Sequence, residues 1–344
     1  MTGVTILPID DPRWHAFVTA HQRALPFHQP GWARLVADCY GFRPFAAAVE
    51  DGAGTISAGL PIVEVRHLLG RRRWVALPFT DYCPPLASDD AGERALAEML
   101  RRAAREAGVA SVEVRASLEG GTPLPEPALR HVLELDADPM VVYRGFHPSQ
   151  VQRSIRRAER QGLRVRRSVE PEDLLRTFYD LHLRTRRRQG VPIQPRRFFR
   201  LLAARLMAHG QGWVDIVEAA GRPIAAALFL AGNGTVIYKF GASDESAWPM
   251  RPNHLLFWHA IRAACEDGYR TFDFGRTDAG HDSLAAFKRS WGAREEQLTY
   301  SILGPAVPAQ AGHGVAARVL GHAIRHTPSF VCRAAGELLY RYVA

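Results

Sequence analysis

Three short segments combine charged, aromatic and glycine residues in a way that suits chemistry at a carbonyl or a phosphate. They are YKFGAS (238–243), FDFGRT (272–277) and FKRSWGA (287–293). Lys288 supplies an ammonium group that could stabilise a developing oxyanion or bind a phosphate. Asp273 could orient or deprotonate an attacking amine. The alternatives are a surface lysine on a short helix and a carboxylate that only pairs with Arg276.

Neighbouring polar residues are candidates for substrate binding. Arg276 stands at the end of its predicted strand, where open sheets tend to place their sites, and is a candidate anion clamp. Strand alternation predicts that Lys239 and Gly241 share one face and that Tyr238 lies on the other. Tyr238 could form a hydrogen bond with an acceptor, and half-buried packing is the alternative for it.

A second group of candidates lies on a predicted helix over 171–189. Tyr179, His182 and Arg186 follow the spacing i, i+3, i+7, so they share a face distinct from the apolar stripe of that helix. We expect this face to contact phosphate groups of a substrate. A purely structural role is the alternative for His182.

The elements that position these residues predict an α+β fold with a mixed, mostly antiparallel sheet. Hairpin turns separate three predicted strands at 213–219, 224–230 and 235–241. A helix at 253–267, a strand at 270–275, a helix at 283–290 and a strand at 296–303 follow. The first part of the chain repeats the plan more loosely, with a polar stretch at 119–127 and a closing strand at 131–135.

An internal repeat supports two related lobes. Residues 95–117 align without a gap on residues 255–277, which places Gly108 on Gly268 and Glu113 on Asp273. Self-similarity at so long a period indicates duplication of a whole domain. We predict one lobe at 1–143, a second lobe with the active site at 144–303, and a linker and helical tail at 304–344. The tail is expected to dock on the body, with membrane contact as the alternative.

Composition bounds the class of protein. A chain of 344 residues with 47% hydrophobic content suits about two globular domains. The first residues show neither a basic nor an apolar signal region, so we expect a cytoplasmic protein, in part at the inner face of the membrane. The four cysteines lack ligand spacing and predict reduced structural thiols without a metal site. The sequence indicates no oligomeric state.

Positive charge is concentrated in one block. Residues 144–205 contain 17 arginines and five acids, a balance of +12, whereas the whole chain carries +9. The block indicates a phosphate-bearing substrate, tRNA or an anionic membrane as a partner. The alternative is a genomic bias toward arginine, which places arginines on solvent-exposed helices without a binding role. Only two of the 44 basic residues are lysines, Lys239 and Lys288.

Several common catalytic patterns are missing from the sequence, including GxSxG, the P-loop and a GxGxxG after a strand. The [RQ]xxGx[GA] pattern of acetyl-CoA enzymes occurs at Arg105 and Arg318, but in both cases within or at the end of a predicted helix. After the strand at 235–241 the chain reads SDESAWPMRPNHLL, which offers no cradle for a pyrophosphate.

The run TRRRQGVP, IYKFGAS, RPNHLLFWHAI, GYRTFDFGRT and FKRSWGA resembles the FemABX-like transferases, a group also described as carrying a BioF-like or GNAT-type acetyltransferase domain. The resemblance covers most of 149–301. It implies two GNAT lobes, with the acceptor bound in the second lobe and the cleft. The Phe287-Lys288 pair before Gly292 matches the motif that holds the family's functional lysine. This chain lacks the helical arm that some members use for tRNA.

The resulting expectation is an N-acyltransferase without a bound cofactor, whose acyl donor is a co-substrate. The missing pyrophosphate cradle and the +12 block favour transfer of an aminoacyl group from aminoacyl-tRNA. The acceptor is expected to be an amine on a cell-wall precursor, a saccharide or a biosynthetic intermediate. One alternative is acyl-CoA-dependent N-acetylation of a sugar or small amine. A third hypothesis is a non-catalytic protein that binds RNA or a membrane surface, although the arginine block has few of the aromatics that stack on RNA bases.

Overall fold

The computed structural model describes residues 3–66, 72–305 and 315–340. The strands are β1 (Gly3–Pro8), β2 (Arg43–Glu50), β3 (Ile56–Arg66), β4 (Arg72–Val75), β5 (Leu86–Ala87), β6 (Val112–Val114), β7 (Thr122–Glu134), β8 (Arg164–Ser168), β9 (Gly212–Ala219), β10 (Arg222–Gly232), β11 (Thr235–Ser243), β12 (Thr271–Asp278) and β13 (Arg294–Leu303). The helices are α1 (Pro12–Ala20), α2 (Pro30–Tyr40), α3 (Asp90–Glu106), α4 (Pro139–Arg144), α5 (Arg153–Arg160), α6 (Tyr179–Gln189), α7 (Arg196–Arg205), α8 (Pro252–Glu266), α9 (Asp282–Arg289), α10 (Val315–His326) and α11 (Ser329–Leu339).

The chain forms two compact units. Of the described residues, the first comprises 3–66, 72–127 and 297–305, and the second comprises 128–296 and 315–340. Most of the predicted linker (306–314) and the last four residues lie outside the described part of the chain.

The sheet of the first unit has the order β1-β2-β3-β4-β6-β13. Its neighbours run antiparallel except for β4 and β6, which run parallel and pair Trp74 with Val112 and Val75 with Glu113. The short strand β5 pairs with β3 beside this order.

The sheet of the second unit has the order β8-β9-β10-β11-β12-β7. Again only one neighbouring pair is parallel, here β11 with β12. Each unit therefore builds the same six-strand order with the parallel pair at the same place, and the predicted α+β fold class is confirmed.

The repeat extends to the ends of its helices. Gly108 after α3 and Gly268 after α8 both have positive φ, at 63° and 78°. The residue after each glycine donates its N–H to a carbonyl five residues back, Val109 to Ala104 and Tyr269 to Ala264. Both glycines thus end their helices with the same left-handed cap, which a residue with a side chain would strain.

The structure changes two predictions about the segment that joins the lobes. The stretch 119–127 is not all loop, because β7 begins at Thr122. The strand predicted to close the first lobe instead belongs to the second unit, where residues 128–134 of β7 pair with β12. Such a pairing joins residues about 140 positions apart, which local sequence patterns do not encode.

Helices flank the second sheet and pack against the strand that carries Tyr238 and Lys239. Phe257 of α8 packs against Tyr238 of β11, whereas His182 of α6 and Phe198 of α7 pack against Phe240. The C-terminal helices dock on α6, since Arg187 donates a hydrogen bond to Thr327 O at 2.7 Å. The predicted docking of the tail on the body is confirmed. No helix in the described ranges is both long and apolar enough to cross a bilayer.

Candidate active site

The parallel strands β11 and β12 separate in the middle of the second unit. They pair only at Thr235–Ile237 and Thr271–Asp273, although β11 continues to Ser243 and β12 to Asp278. Beyond this point β11 stays paired with β10 and β12 with β7. The backbone edges that diverge form a wedge between Tyr238–Ser243 and Phe274–Asp278, at the carboxyl ends of both strands, where mixed sheets bind ligands.

A bulge shapes the β12 side of this wedge. The register with β7 passes from Asp273–Val132 to Arg276–Arg130, so two residues of β12 oppose one residue of β7. Gly275 lies in the bulge with φ at 72°, a conformation that favours glycine. The Gly275 N–H donates to Asp273 Oδ1 at 2.7 Å, which holds the carboxylate against the bulge.

Lys288 of α9 forms hydrogen bonds with the backbone of the same bulge. Its side chain is buried, with 3% of the residue exposed, and Nζ donates to the carbonyl oxygens of Gly275 and Arg276, each at 2.9 Å. The alternative of a surface lysine is therefore wrong. A compact ammonium with three donors suits two convergent carbonyls better than a planar guanidinium. This explains why a lysine stands here in a chain with 42 arginines.

Asp273 forms a buried ion pair with a residue that sequence reasoning missed. Arg130 Nε donates to Asp273 Oδ2 at 2.7 Å, and Arg130 Nη1 donates to Glu296 Oε2 at 3.2 Å. The partner that the structure shows for the Asp273 carboxylate is thus Arg130, whereas the sequence suggested Arg276. Because Gly275 N–H and Arg130 each take one carboxylate oxygen, the geometry favours a positioning role for Asp273 over proton abstraction from an amine.

His131 is a further buried residue beside the lysine. Its ring nitrogens face Glu295 Oε1 at 3.1 Å and Thr277 Oγ1 at 3.5 Å. Burial lowers the pKa of His131, and the positive charge of Lys288 lowers it further. His131 and Arg130 lie on β7 next to each other, and their only sequence signal is a pair of polar residues beside an apolar strand.

Arg276 lies at the end of the bulge, where the sequence predicts it. Its Nε donates to Asp278 Oδ1 at 2.5 Å, so part of its hydrogen-bonding capacity serves its own strand. The side chain remains one-quarter exposed. Its role as an anion clamp stays a prediction.

A second bulge changes the predicted faces of β11. The register with β10 pairs Leu228 with Phe240 and Phe229 with Tyr238, so Lys239 is an extra residue. Alternation fails there, and the Tyr238 hydroxyl lies directly over Gly241 instead of on the opposite face. Burial raises the pKa of Tyr238 to about 12, so the phenol stays protonated. The Lys239 ammonium lies 5.5 Å from the Phe240 ring.

The three candidates on α6 have different surroundings. Tyr179 and His182 are buried, and His182 stacks on Phe178 and contacts Gln194 at 3.1 Å. Burial lowers the pKa of His182 to about 3, so the ring is neutral. Arg186 donates to Pro192 O and to the Tyr340 hydroxyl. These contacts favour structural roles for Tyr179 and His182, because both lie in the aromatic core and not on a solvent-facing surface.

A comparison with protein families bears on the same region. The family described as "Acetyltransferase (GNAT) domain" matches residues 147–289, which lie within the second unit and include the wedge and Lys288. Residues 147–289 are therefore similar to a GNAT domain.

Relatives and solved structures agree with this assignment. The Lipid II:glycine glycyltransferase of Staphylococcus haemolyticus is 35% identical over 75 residues, which span 20% of this chain and 18% of that protein. A crystal structure of FemX has a TM-score of 0.71 at 16% identity, covering 86% of this chain and 96% of FemX. A tandem GNAT protein from the clavulanic acid biosynthesis pathway has a TM-score of 0.51 at 15% identity. The match covers 89% of this chain and 100% of that protein. The predicted resemblance to FemABX-like GNAT proteins is confirmed.

The arginine block (144–205), most of which lies within the matched region, is only partly available to a partner. Arg166 forms ion pairs with Asp173 and Glu218, and Arg167 lies 4.2 Å from the Trp213 ring. By contrast, α5 exposes four arginines, while Ile155 and Ala158 hold its inner face in the core. The four are Arg153, Arg156, Arg157 and Arg160.

Proposed function

We propose that this chain is an N-acyltransferase that passes an aminoacyl group from aminoacyl-tRNA to an amine on a phosphate-bearing acceptor. The reaction takes place in the wedge of the GNAT domain between β11 and β12. A cell-wall precursor fits the printed name of the staphylococcal relatives, whose matched region is a small part of their length. No bound cofactor is required, because the acyl donor is a co-substrate.

The observation that carries the proposal is the position of Lys288. A buried ammonium at the bulge of β12 places positive charge where the diverging strands leave room for a substrate. Its hydrogen bonds to two backbone carbonyl oxygens hold the ammonium in place before the reaction. Little reorganisation is therefore needed when an oxyanion develops. Asp273 and Arg130 keep the bulge in the conformation that positions Lys288.

The step needs only proximity and electrostatic stabilisation. The acceptor nitrogen bonds to the acyl carbon, the ester C–O bond breaks, and the proton lost by the amine ends on the released ribose hydroxyl. Direct attack fits the state of the thiols, because burial raises the pKa of Cys83, Cys265 and Cys332 and makes them poor nucleophiles.

The connection from β11 to α8 supports an aminoacyl donor over acyl-CoA. It forms a 3₁₀ turn at Glu245–Met250 and contains no glycine between Asp244 and Asn253. Pro252 is the first residue of α8, so one of the N–H groups that would hold a pyrophosphate is missing. Arg251 precedes it with a left-handed φ of 62°.

Helix α5 is the proposed contact for the phosphates of tRNA. Its exposed arginines form one cationic face with Glu159 as the single acid of the helix. Contacts of this kind strengthen binding in a salt-dependent way without reading sequence.

Acyl-CoA-dependent N-acetylation is the second candidate. The description of the matched family, an acetyltransferase domain, favours it. Both candidates share the wedge and Lys288 and differ in the donor.

A donor assay tests the proposal. The pure protein is given labelled aminoacyl-tRNA or labelled acetyl-CoA with candidate amines, with and without RNase. We expect transfer from aminoacyl-tRNA that RNase abolishes. Transfer from acetyl-CoA that RNase leaves unchanged would support the second candidate, and absence of turnover with every donor would contradict both.

Paired charge variants test the contact for tRNA. Arg156→Gln with Arg157→Gln on α5 should raise the KM for aminoacyl-tRNA about tenfold and weaken its salt dependence. The control is Arg102→Gln with Arg105→Gln, which removes the same charge from exposed positions of α3 in the first unit. Equal effects of the two pairs would point to net charge instead of a site on α5.

A further inference from the structure

The two C-terminal helices expose a high density of apolar side chains. Among the described residues, four of the eleven exposed large apolar side chains belong to α10 and α11. Val319 is 62% exposed, Phe330 59% and Leu338 67%. Single exposed apolar residues are ordinary, but a cluster of them on one short helical pair indicates an interaction surface.

These side chains do not belong to the face that docks on the domain. Cys332 lies on the inner face and its thiol donates to Val191 O at 3.4 Å. Gly336 approaches Ile193 so closely that a Cβ there would overlap the Ile193 carbonyl oxygen. The inner face of α11 is therefore already packed, and the exposed apolar residues are left for something outside this unit.

The outer face of α11 forms a continuous stripe. Phe330, Ala334 and Leu338 follow the spacing i, i+4, i+8, which places them in one row along the helix, and all three are exposed. Arg333 and Glu337 flank the stripe.

The charge around the stripe identifies the kind of partner. Residues 315–340 contain three arginines and two histidines, while Glu337 is the single acid. Glu337 Oε1 accepts a hydrogen bond from the Arg196 N–H at 3.0 Å, so the acid serves the start of α7. On α10, Arg318, His322 and His326 are exposed. Apolar side chains beside an excess of basic groups suit the interface of an anionic bilayer.

We propose that α10 and α11 form a surface that binds peripherally to anionic membranes. Phe330, Leu338 and Val319 insert at the boundary between headgroups and acyl chains, while Arg318 and Arg333 contact lipid phosphates. Binding requires neither an acyl donor nor an acceptor, so this inference goes beyond the proposed function and can fail independently of it.

Co-sedimentation with vesicles tests the inference on the full chain. We expect the protein to bind vesicles of phosphatidylcholine and phosphatidylglycerol in equal parts, to bind pure phosphatidylcholine vesicles weakly, and to dissociate as salt rises. Phe330→Ser with Leu338→Ser should weaken binding about tenfold or more, and Arg318→Gln with Arg333→Gln should remove the preference for the anionic lipid. Thermal melting should be nearly unchanged for the apolar pair, because both side chains are exposed.

The control is Val169→Ser, which removes an apolar side chain that is 53% exposed elsewhere in the same unit. Equal loss of binding in this variant, equal binding of all variants, or no binding of the natural protein to anionic vesicles would overturn the inference. Light scattering adds a further outcome. Self-association that the Phe330→Ser and Leu338→Ser pair abolishes, without vesicle binding, would assign the surface to a second copy of the chain.

Discussion

At the scale of single residues, the proposed function depends on a small buried polar cluster. Lys288, Asp273 and Arg130 come from three different elements, α9, β12 and β7, and meet at one bulge. Buried charges of this kind are costly unless each is paired. The cluster therefore indicates a place where position of charge matters more than stability alone.

Removing the ammonium should impair the reaction more than the fold. In Lys288→Met the carbonyls of Gly275 and Arg276 lose their donor, and the charge proposed to stabilise the oxyanion is lost. We expect kcat/KM to fall by about 10²–10³-fold. Two unpaired carbonyls should also lower stability by about 1–3 kcal/mol, which thermal melting measures.

Arg289→Met is the matched control for this variant, because Arg289 follows Lys288 on α9 but pairs with Glu295 at the surface. Its rate should stay within about threefold of the natural protein, in line with the small weight of exposed ion pairs. A Lys288→Met protein with the natural rate would show that the ammonium has no part in the reaction.

The ion pair of Arg130 and Asp273 should behave as a coupled unit. Arg130→Met leaves the buried Asp273 carboxylate without its ion-pair partner and should cost about 3–5 kcal/mol. Asp273→Asn should cost less, because Arg130 keeps its bond to Glu296. The double variant should be less destabilised than the sum of the two single variants. Urea unfolding of all four proteins gives the coupling energy, and additive losses would contradict the assigned pairing.

At the scale of elements, local patterns predicted most helices and strands of the second unit. The cap at Gly268, the spacing of α8 and the hairpin turns around β10 are all encoded by residues close together in sequence. Both bulges escaped prediction because each depends on a neighbouring strand. The extra residue Lys239 is defined only by the partner β10, and the role of Arg130 only by β12, 143 positions further on.

The contact between Tyr238 and Gly241 gives a test of the bulge in β11. A Cβ in Gly241→Ala would overlap the Tyr238 hydroxyl, and the ring is held between Phe229 and Phe257. We expect the substitution to lower stability by about 1–3 kcal/mol, measured by urea unfolding. In a Tyr238→Leu background the same substitution should cost less. Gly52→Ala serves as the control, because no atom lies within 4 Å of its Cβ.

At the scale of the whole molecule, buried histidines should make the protein sensitive to mild acid. Burial lowers the pKa of His28 in the first unit to about 4 and that of His182 in the second unit to about 3. The unfolded chain binds these protons near pH 6.5, whereas the folded protein does not. Stability should therefore fall as pH drops from 6.5 toward 4, by on the order of 3 kcal/mol for each histidine.

Thermal melting across pH 4 to 7 checks this expectation. His182→Gln should reduce the fall of the melting temperature with pH, since Gln does not titrate. His209→Gln should leave that fall unchanged, since His209 is exposed. An unchanged slope in His182→Gln would contradict the assigned cause. This pH range lies above the range in which carboxylates such as Asp173 lose their stabilising charge. The hydrogen bond from Arg166 lowers the pKa of Asp173 to about 2.

The order in which the chain supplies the strands of each sheet also has a consequence during synthesis on the ribosome. In the first unit β6 pairs with residues 301–303, which are made roughly 190 residues later. At about 5–20 residues per second, this strand emerges about 10–40 s after β6. The nascent N-terminal half therefore keeps an unpaired sheet edge until the other half has been translated. During this interval the edge is accessible to chaperones and to non-native strand pairing.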